Sequence, residues 1–223
     1  MKKEKIWIIV TSLLLLIGSA HSLSAQGLAQ QGTSIDDIVP AGWLHKEAQG
    51  DLNKDGFPDL VVVATPDFEE NLKMREDGYV YNFNQPILAI YFGKGQSQLQ
   101  LWKHYDNVIP ADEDENCSHE VSVEITSRGT LRISILLFCS MGGYETTFDT
   151  YTYRFQNGDF FLIGLDKEES QRNTGNCITI SENYLTWKRQ ETRENIFYLD
   201  RPPTEKWTRI PKRPLEKLGE REL

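Results

Sequence analysis

The sequence predicts a mainly β protein built from antiparallel sheets with few short helices. Residues 60–64 and 87–92 are continuous apolar runs of strand length, which is typical of central strands buried on both faces. In residues 121–125 apolar side chains alternate with polar ones, which indicates a strand with one solvent-exposed face. Asn157-Gly158 lies between two apolar runs and predicts a tight hairpin, because both residues tolerate positive φ. Propeller-blade-like and sandwich-like arrangements both fit this pattern.

Residues 1–25 have the three parts of a secretory signal peptide. A lysine-rich start is followed by a nearly uninterrupted apolar core at residues 6–18 and then by small residues. Cleavage fits after Ser22, with Ala20 two positions earlier, and it also fits after Ala25. The apolar core is shorter than the roughly 20 residues of a transmembrane helix. We therefore expect an exported protein, periplasmic or secreted, that is soluble after cleavage and has no membrane span in the mature chain.

The other elements follow in chain order. Polar residues 26–37 predict a flexible lead-in, and residues 38–223 predict one β-rich domain without an internal boundary. Strands are expected at residues 60–64, 87–92, 99–103, 121–125, 131–138, 148–155, 160–165 and 178–180. Short helices fit residues 67–75 and 214–218. Four prolines after residue 201 predict a C-terminal segment that runs over the surface, anchored by Trp207.

The composition narrows the class of protein. Of the 223 residues, 39% are hydrophobic and 26% charged, which excludes a disordered chain. The 33 acidic and 24 basic residues give a net charge of -9, and removal of residues 1–25 leaves -11 because that segment carries a net +2. Such a charge argues against a nucleic-acid-binding protein.

Three cysteines follow the signal peptide, namely Cys117, Cys139 and Cys177. Export permits disulfides, and an odd count leaves one thiol without an intramolecular partner. A bridge between Cys117 and Cys139 is one interpretation. The other buries Cys139 as a small apolar residue at the end of the run 135–138.

One short loop has the chemistry of a metal site. Residues 50–59 read Gly-Asp-Leu-Asn-Lys-Asp-Gly-Phe-Pro-Asp, so side-chain oxygens recur on alternate residues from Asp51 and return at Asp59. Calcium takes six to eight oxygen ligands, and Gly56 allows the sharp turn that wraps a loop around the ion. An EF-hand would place a glutamate at residue 62, which is Val62 here, so a helix–loop–helix site is rejected.

The order Asp-x-Asn-x-Asp-Gly-x-x-Asp resembles the calcium loop of FG-GAP and VCBS-type repeats in exported bacterial proteins. The resemblance spans about 50 residues: the loop, the apolar strand after it, and the hairpin at 87–103. It implies a Ca²⁺ site with the ligands Asp51, Asn53, Asp55, the backbone carbonyl of Phe57, and Asp59. Those repeats recur several times to close a propeller, whereas this chain has one loop, so a closed propeller is not expected. The competing interpretation is an Asp/Asn/Gly-rich turn that binds nothing.

Three functions remain open at this point. The leading expectation is a non-enzymatic calcium-binding domain with a structural role or an unknown protein or envelope component as its partner. A periplasmic hydrolase with a structural calcium and a carbohydrate-binding module are the alternatives. The module would use exposed tryptophans, for which the candidates are Trp43, Trp102, Trp187 and Trp207. Residues 112–120 combine acids with Cys117 and His119, and a solvated acidic loop is favoured there over a transition-metal site.

Overall fold

The computed structural model describes residues 27–95, 97–198 and 200–223, so the predicted signal peptide lies outside the described residues. Strands form 53% of the structure and helices 4%, which confirms the mainly β, antiparallel class. The strands are β1 Gln31–Gly32, β2 Leu44–Gly50, β3 Asp59–Thr65, β4 Leu72–Met74, β5 Val80–Asn82, β6 Ile87–Gly93, β7 Leu99–Tyr105, β8 Cys117–Ile125, β9 Thr130–Cys139, β10 Glu145–Gln156, β11 Asp159–Gln171, β12 Asn176–Asn183, β13 Lys188–Asn195 and β14 Thr204–Arg209. The helical elements are a single turn, α1 Ile35–Ile38, and a 3₁₀ turn at Glu69–Asn71.

Two large sheets and one hairpin contain these strands. The five-stranded sheet has the order β1-β7-β6-β3-β2, in which β2, β3, β6 and β7 are neighbours in chain order. The seven-stranded sheet runs from β8 to β14 in strict chain order and curls into a half-barrel. β4 and β5 form a separate hairpin, and the β2 edge of the first sheet lies against β8 of the second.

The larger hydrophobic core lies between the two sheets. Val61 and Ile90 of the five-stranded sheet are buried with Ile133 and Tyr153 of the seven-stranded sheet. Trp102 also packs here, with its ring centroid 5.3 Å from that of Phe160. The hydrophobic effect, which favours removal of this apolar surface from water, holds the two sheets face to face.

A second core covers the opposite face of the five-stranded sheet. Val62 and Tyr91 point to this side, where they meet Ile38 and Trp43 from the N-terminal segment. The Tyr91 hydroxyl donates a hydrogen bond to the carbonyl of Ala29 at 2.9 Å. β3 and β6 are thus buried on both faces, as their apolar runs predict.

Residues 27–37, the described part of the predicted flexible lead-in, contain regular structure. Here β1 pairs with β7, and α1 begins at a capping box. The Ser34 hydroxyl accepts a hydrogen bond from the amide of Asp37, and the Asp37 carboxylate accepts one from the Ser34 amide. These hydrogen bonds satisfy backbone amides at the start of α1. The polar composition of the segment does not by itself predict this ordered turn.

The two predicted helices and the course of the C-terminus need correction. Residues 67–75 contain the 3₁₀ turn and β4 instead of a helix, and residues 214–218 form no helix but an isolated bridge between Lys217 and Phe161. The segment after residue 201 first forms β14, in which Trp207 is 61% exposed and anchors nothing. The anchor is Leu218, which is buried in the larger core.

Two of the three cysteines form the bridge that is one of the two sequence-based interpretations. Cys117 and Cys139 are opposite each other in β8 and β9 and form a disulfide, while Cys177 is a buried free thiol. Cys139 is therefore not an isolated apolar residue. Among the described residues, no helix combines the length and the apolar character needed to cross a bilayer.

Candidate metal site

The predicted calcium loop connects β2 to β3 and is wedged between the two sheets. Gly50 and Asp59, which flank it, are paired across the two strands. A Cβ on Gly50 would approach Cγ2 of Ile125 in β8 to 2.6 Å, and the side chain of Leu52 is buried in the larger core. The turn between β8 and β9 is equally close, because a Cβ on Gly129 would lie 2.6 Å from the carbonyl oxygen of Asp51. The loop is therefore in close contact with β8, with the β8–β9 turn and with the larger core.

The Asp51 carboxylate organises the first half of the loop. Its Oδ1 accepts hydrogen bonds from the amides of Lys54 at 2.6 Å and Asp55 at 3.2 Å, and its Oδ2 accepts one from Gly56 at 3.0 Å. Lys54 and Gly56 have φ angles of 63° and 88°, so the chain curls tightly around the carboxylate. This is the close turn that the position of Gly56 predicts.

Asn53 and Asp55 lie side by side above this turn. The Asn53 Nδ2 donates to Oδ2 of Asp55 at 2.9 Å, and the amide of Asp55 donates to Oδ1 of Asn53 at 3.0 Å. The amide of Phe57 then donates to Oδ1 of Asp55 at 2.9 Å. Asp51, Asn53 and Asp55 are thereby joined in one hydrogen-bonded turn, in which Asp55 is exposed and the other two are half-buried.

Asp59 differs from the other predicted ligands because it is completely buried. Its Oδ2 accepts from the amides of Leu52 at 2.8 Å and Asn53 at 3.3 Å, and its Oδ1 accepts from Gly93 in β6 at 2.9 Å. Burial raises the pKa of Asp59 above its ordinary 3.8, and the nearby negative charge of Asp55 raises it further. The hydrogen bonds from the three backbone amides oppose that rise. Asp59 closes the loop and ties it to β6.

The donor chemistry of the loop suits a hard cation. The side-chain atoms that could bind a metal ion are oxygens. A carboxylate can accept about four hydrogen bonds, and Asp51 and Asp59 each accept three from backbone amides, so each keeps one free lone pair for an ion. Asp59 nevertheless points its oxygens at backbone amides, a role that the motif does not reveal. Across residues 27–95, 97–198 and 200–223, no three His, Cys, Asp or Glu side chains converge as a metal cluster.

The second acidic region, residues 112–120, is not a loop over its whole length. Residues 117–120 belong to β8, and the disulfide occupies the Cys117 sulfur, which is therefore no thiolate ligand. Asp112 instead accepts a hydrogen bond from the His119 amide at 2.7 Å, and its Oδ1 lies 3.1 Å from Nδ1 of that histidine. No sequence motif marks this pair, since it depends on how the chain turns back before β8.

A cleft of about 570 Å³ lies beside the His119–Asp112 pair, where the edges of the two sheets meet. Its walls include His45 and Lys46 of β2 and the buried Asn84. Both amide atoms of Asn84 are bonded: Nδ2 donates to the Phe68 carbonyl at 3.1 Å and Oδ1 accepts from Asn71 at 3.0 Å. The walls of the cleft thus combine polar groups with apolar side chains such as Leu44 and Val121.

The tryptophans do not form a common platform. Trp43 is buried in the second core, and Trp102 and Trp187 pack against the larger one, so Trp207 alone of the four candidates is strongly exposed. Exposed apolar side chains gather instead at one end of the seven-stranded sheet, where the β9–β10, β11–β12 and β13–β14 connections meet. This apolar end comprises Phe138, Met141, Tyr144, Phe148, Ile196, Phe197 and Tyr198.

Comparison with family models, with curated proteins and with solved structures finds no significant match to this chain.

Proposed function

We propose that the protein is an exported, non-enzymatic β domain that binds calcium for structural reasons and attaches to another protein or an envelope component. The observation that carries the proposal is the position of the Asp51–Asp55 turn, an oxygen-rich loop fixed between the two sheets. The ligands would be Asp51, Asn53, Asp55, the carbonyl of Phe57, and Asp59. The signal-like sequence of residues 1–25 and the Cys117–Cys139 disulfide both suit an oxidising compartment outside the cytoplasm.

The structural role of the ion follows from charge. Three carboxylates in a loop of nine residues repel one another, and Asp59 is buried as well. A divalent cation removes that repulsion and joins the turn to the start of β3. Because the loop contacts β8 and the β8–β9 turn, a bound ion would stabilise both sheets at once.

Calcium should raise the melting temperature of the purified protein. Extracellular sites have dissociation constants of about 10⁻⁴–10⁻³ M, and calcium at ten times that constant would add roughly 1.4 kcal/mol to folding. For a domain of this size the rise is about 3–6 °C. The combined substitution Asp51→Ala and Asp55→Ala should abolish the rise in a thermal scan that compares chelator with calcium.

Glu69→Ala with Glu70→Ala is the matched control, since it removes the same charge from an exposed 3₁₀ turn. That variant should keep the full response to calcium. An identical melt of the wild-type protein in chelator and in calcium would disprove the calcium site.

The apolar end supports the partner half of the proposal. Phe197 and Tyr198 are about half exposed in a loop, and Arg172 stacks its guanidinium 4.4 Å from the Phe138 ring centroid. Exposed aromatic residues together with arginine are enriched at interaction surfaces. Capture from a solubilised envelope fraction should fall for Phe197→Ser with Tyr198→Ser and persist for Tyr79→Ser, which changes an exposed aromatic residue elsewhere. Equal capture by both variants would rule out this surface.

A further inference from the structure

β14 is the free edge of the seven-stranded sheet. It pairs with β13 on one side, and among the described residues no strand pairs with its other side. All six of its residues are exposed, and Trp207 is at its centre. Pro203 and Pro211 bound the strand, so the edge available for pairing is short and well defined.

The direction of its backbone groups follows from the β13–β14 register. Ile210 donates its amide to the Trp187 carbonyl at 3.0 Å, and the register pairs Lys188 with Arg209. Hydrogen-bonded and non-hydrogen-bonded pairs alternate along an antiparallel ladder. The amides and carbonyls of the alternate residues Glu205, Trp207 and Arg209 therefore point away from the sheet.

Antiparallel pairing of two copies about a two-fold axis at Trp207 uses all of these groups. Trp207 then lies opposite Trp207 of the partner subunit, and Glu205 lies opposite Arg209 of the partner subunit. Each of these pairs is of the hydrogen-bonded type and exchanges both backbone bonds. A register with its axis at Lys206 also aligns outward groups, but it places Lys206 opposite Lys206 of the partner subunit and Arg209 opposite Pro203 of the partner subunit, which has no amide to donate.

The side chains are complementary in that same register. Glu205, Trp207 and Arg209 share one face of β14, so the two-fold axis places two Glu205–Arg209 contacts beside a central pair of indoles. Within the chain, Arg209 is opposite Lys188 and Glu205 is opposite Thr192. In the described part of the chain neither Glu205 nor Arg209 forms an ion pair.

We propose that the protein forms a symmetric dimer in which β14 pairs with β14 of a second copy, which joins the two seven-stranded sheets into one. Charged edge strands normally prevent such pairing. Here the register centred on Trp207 places Glu205 opposite Arg209 twice, whereas the register centred on Lys206 places two lysines opposite each other, so the charges favour the first register. The interface is isologous, as a closed dimer requires.

Charge reversal tests this arrangement. The wild-type protein should show a concentration-dependent dimer by sedimentation equilibrium. Glu205→Arg or Arg209→Glu alone creates two like-charge contacts through the symmetry and should weaken dimerisation roughly tenfold or more. Glu205→Arg combined with Arg209→Glu restores opposite charges and should recover the wild-type dissociation constant.

Lys94→Glu reverses a charge in the β6–β7 loop, far from this edge, and should leave the dimer unchanged. Circular dichroism checks that each variant is folded. A protein that stays monomeric at all soluble concentrations would overturn the proposal and leave the edge to an extended segment of a different partner. A dimer unaffected by the single reversals, or not restored by the double one, would overturn it equally.

Discussion

At the residue scale, Asp59 shows how a motif residue takes a role that its motif does not describe. Its carboxylate is buried and accepts hydrogen bonds from the backbone amides of Leu52, Asn53 and Gly93. A buried carboxylate is tolerated only when its acceptors are satisfied, and these bonds do so. Gly93 must be glycine for this contact, because a Cβ there would lie 2.4 Å from the carbonyl oxygen of Pro58. Asp59 therefore belongs to the scaffold of the loop whether or not an ion is bound.

Tyr91 gives the fold a predictable response to alkaline pH. Burial raises the pKa of Tyr91 to about 12 from 10.0, so between these values the folded state holds a proton that the unfolded state releases. Its stability contribution is fully present below pH 10 and is lost as the pH rises through 12. Tyr91→Phe should cost about 1 kcal/mol at neutral pH through the lost bond to Ala29, and should flatten the alkaline loss by about 1.4 kcal/mol per pH unit.

Urea unfolding at neutral pH and between pH 10 and 12 measures both effects. Tyr144→Phe is the control, because Tyr144 is exposed and its hydroxyl is outside the core. An alkaline slope that is the same for Tyr91→Phe and the wild-type protein would contradict the expectation.

At the element scale, the sequence predicts best those strands whose signal is local or dominated by burial. β3 and β6 are continuous apolar runs, and such runs are typical of central strands that are buried on both faces. The hairpin between β10 and β11 follows from Asn157 and Gly158, whose φ angles are 52° and 79°. In these places local preference and tertiary packing agree.

The predictions fail where distant pairing decides the structure. Residues 72–74 pair with β5 instead of continuing the 3₁₀ turn as a helix. In the C-terminal segment, Leu215 and Leu218 have helical spacing, but the segment pairs with β11 instead, where Leu162 donates to the Glu216 carbonyl at 2.8 Å. Nothing in the local sequence reveals these partners, since each bond joins segments far apart in the chain.

The same distinction separates the predictable and unpredictable parts of the candidate sites. The turn at Asp51, Asn53 and Asp55 is contiguous, so its residues can be identified from spacing alone. The hydrogen bond from Gly93 to Asp59 spans 34 positions and depends on the pairing of β3 with β6. The outward edge of β14 likewise becomes visible only when the register with β13 is known.

At the scale of the whole molecule, the five-stranded sheet is a middle layer between two cores. Residues from the N-terminal segment cover one face, and the seven-stranded sheet covers the other. The C-terminal segment then joins distant parts of the larger core. Leu218 donates its amide to the Phe160 carbonyl at 2.9 Å, and Leu223 donates to the Val108 carbonyl at 2.9 Å.

This closure makes Leu218 a test of whether the molecule unfolds as one unit. Its side chain is buried in the core between the sheets, so Leu218→Ala leaves a cavity and should lower the free energy of unfolding by about 2–5 kcal/mol. Because the segment contacts both β11 and the loop at Val108, tryptophan fluorescence and far-UV circular dichroism should report one coincident transition in denaturant. Lys212→Ala, an exposed position in the same segment, should change stability by less than about 0.5 kcal/mol. Two separate transitions in Leu218→Ala, or a stability equal to that of Lys212→Ala, would mean that the C-terminal segment is an appendage and that the two sheets hold together without it.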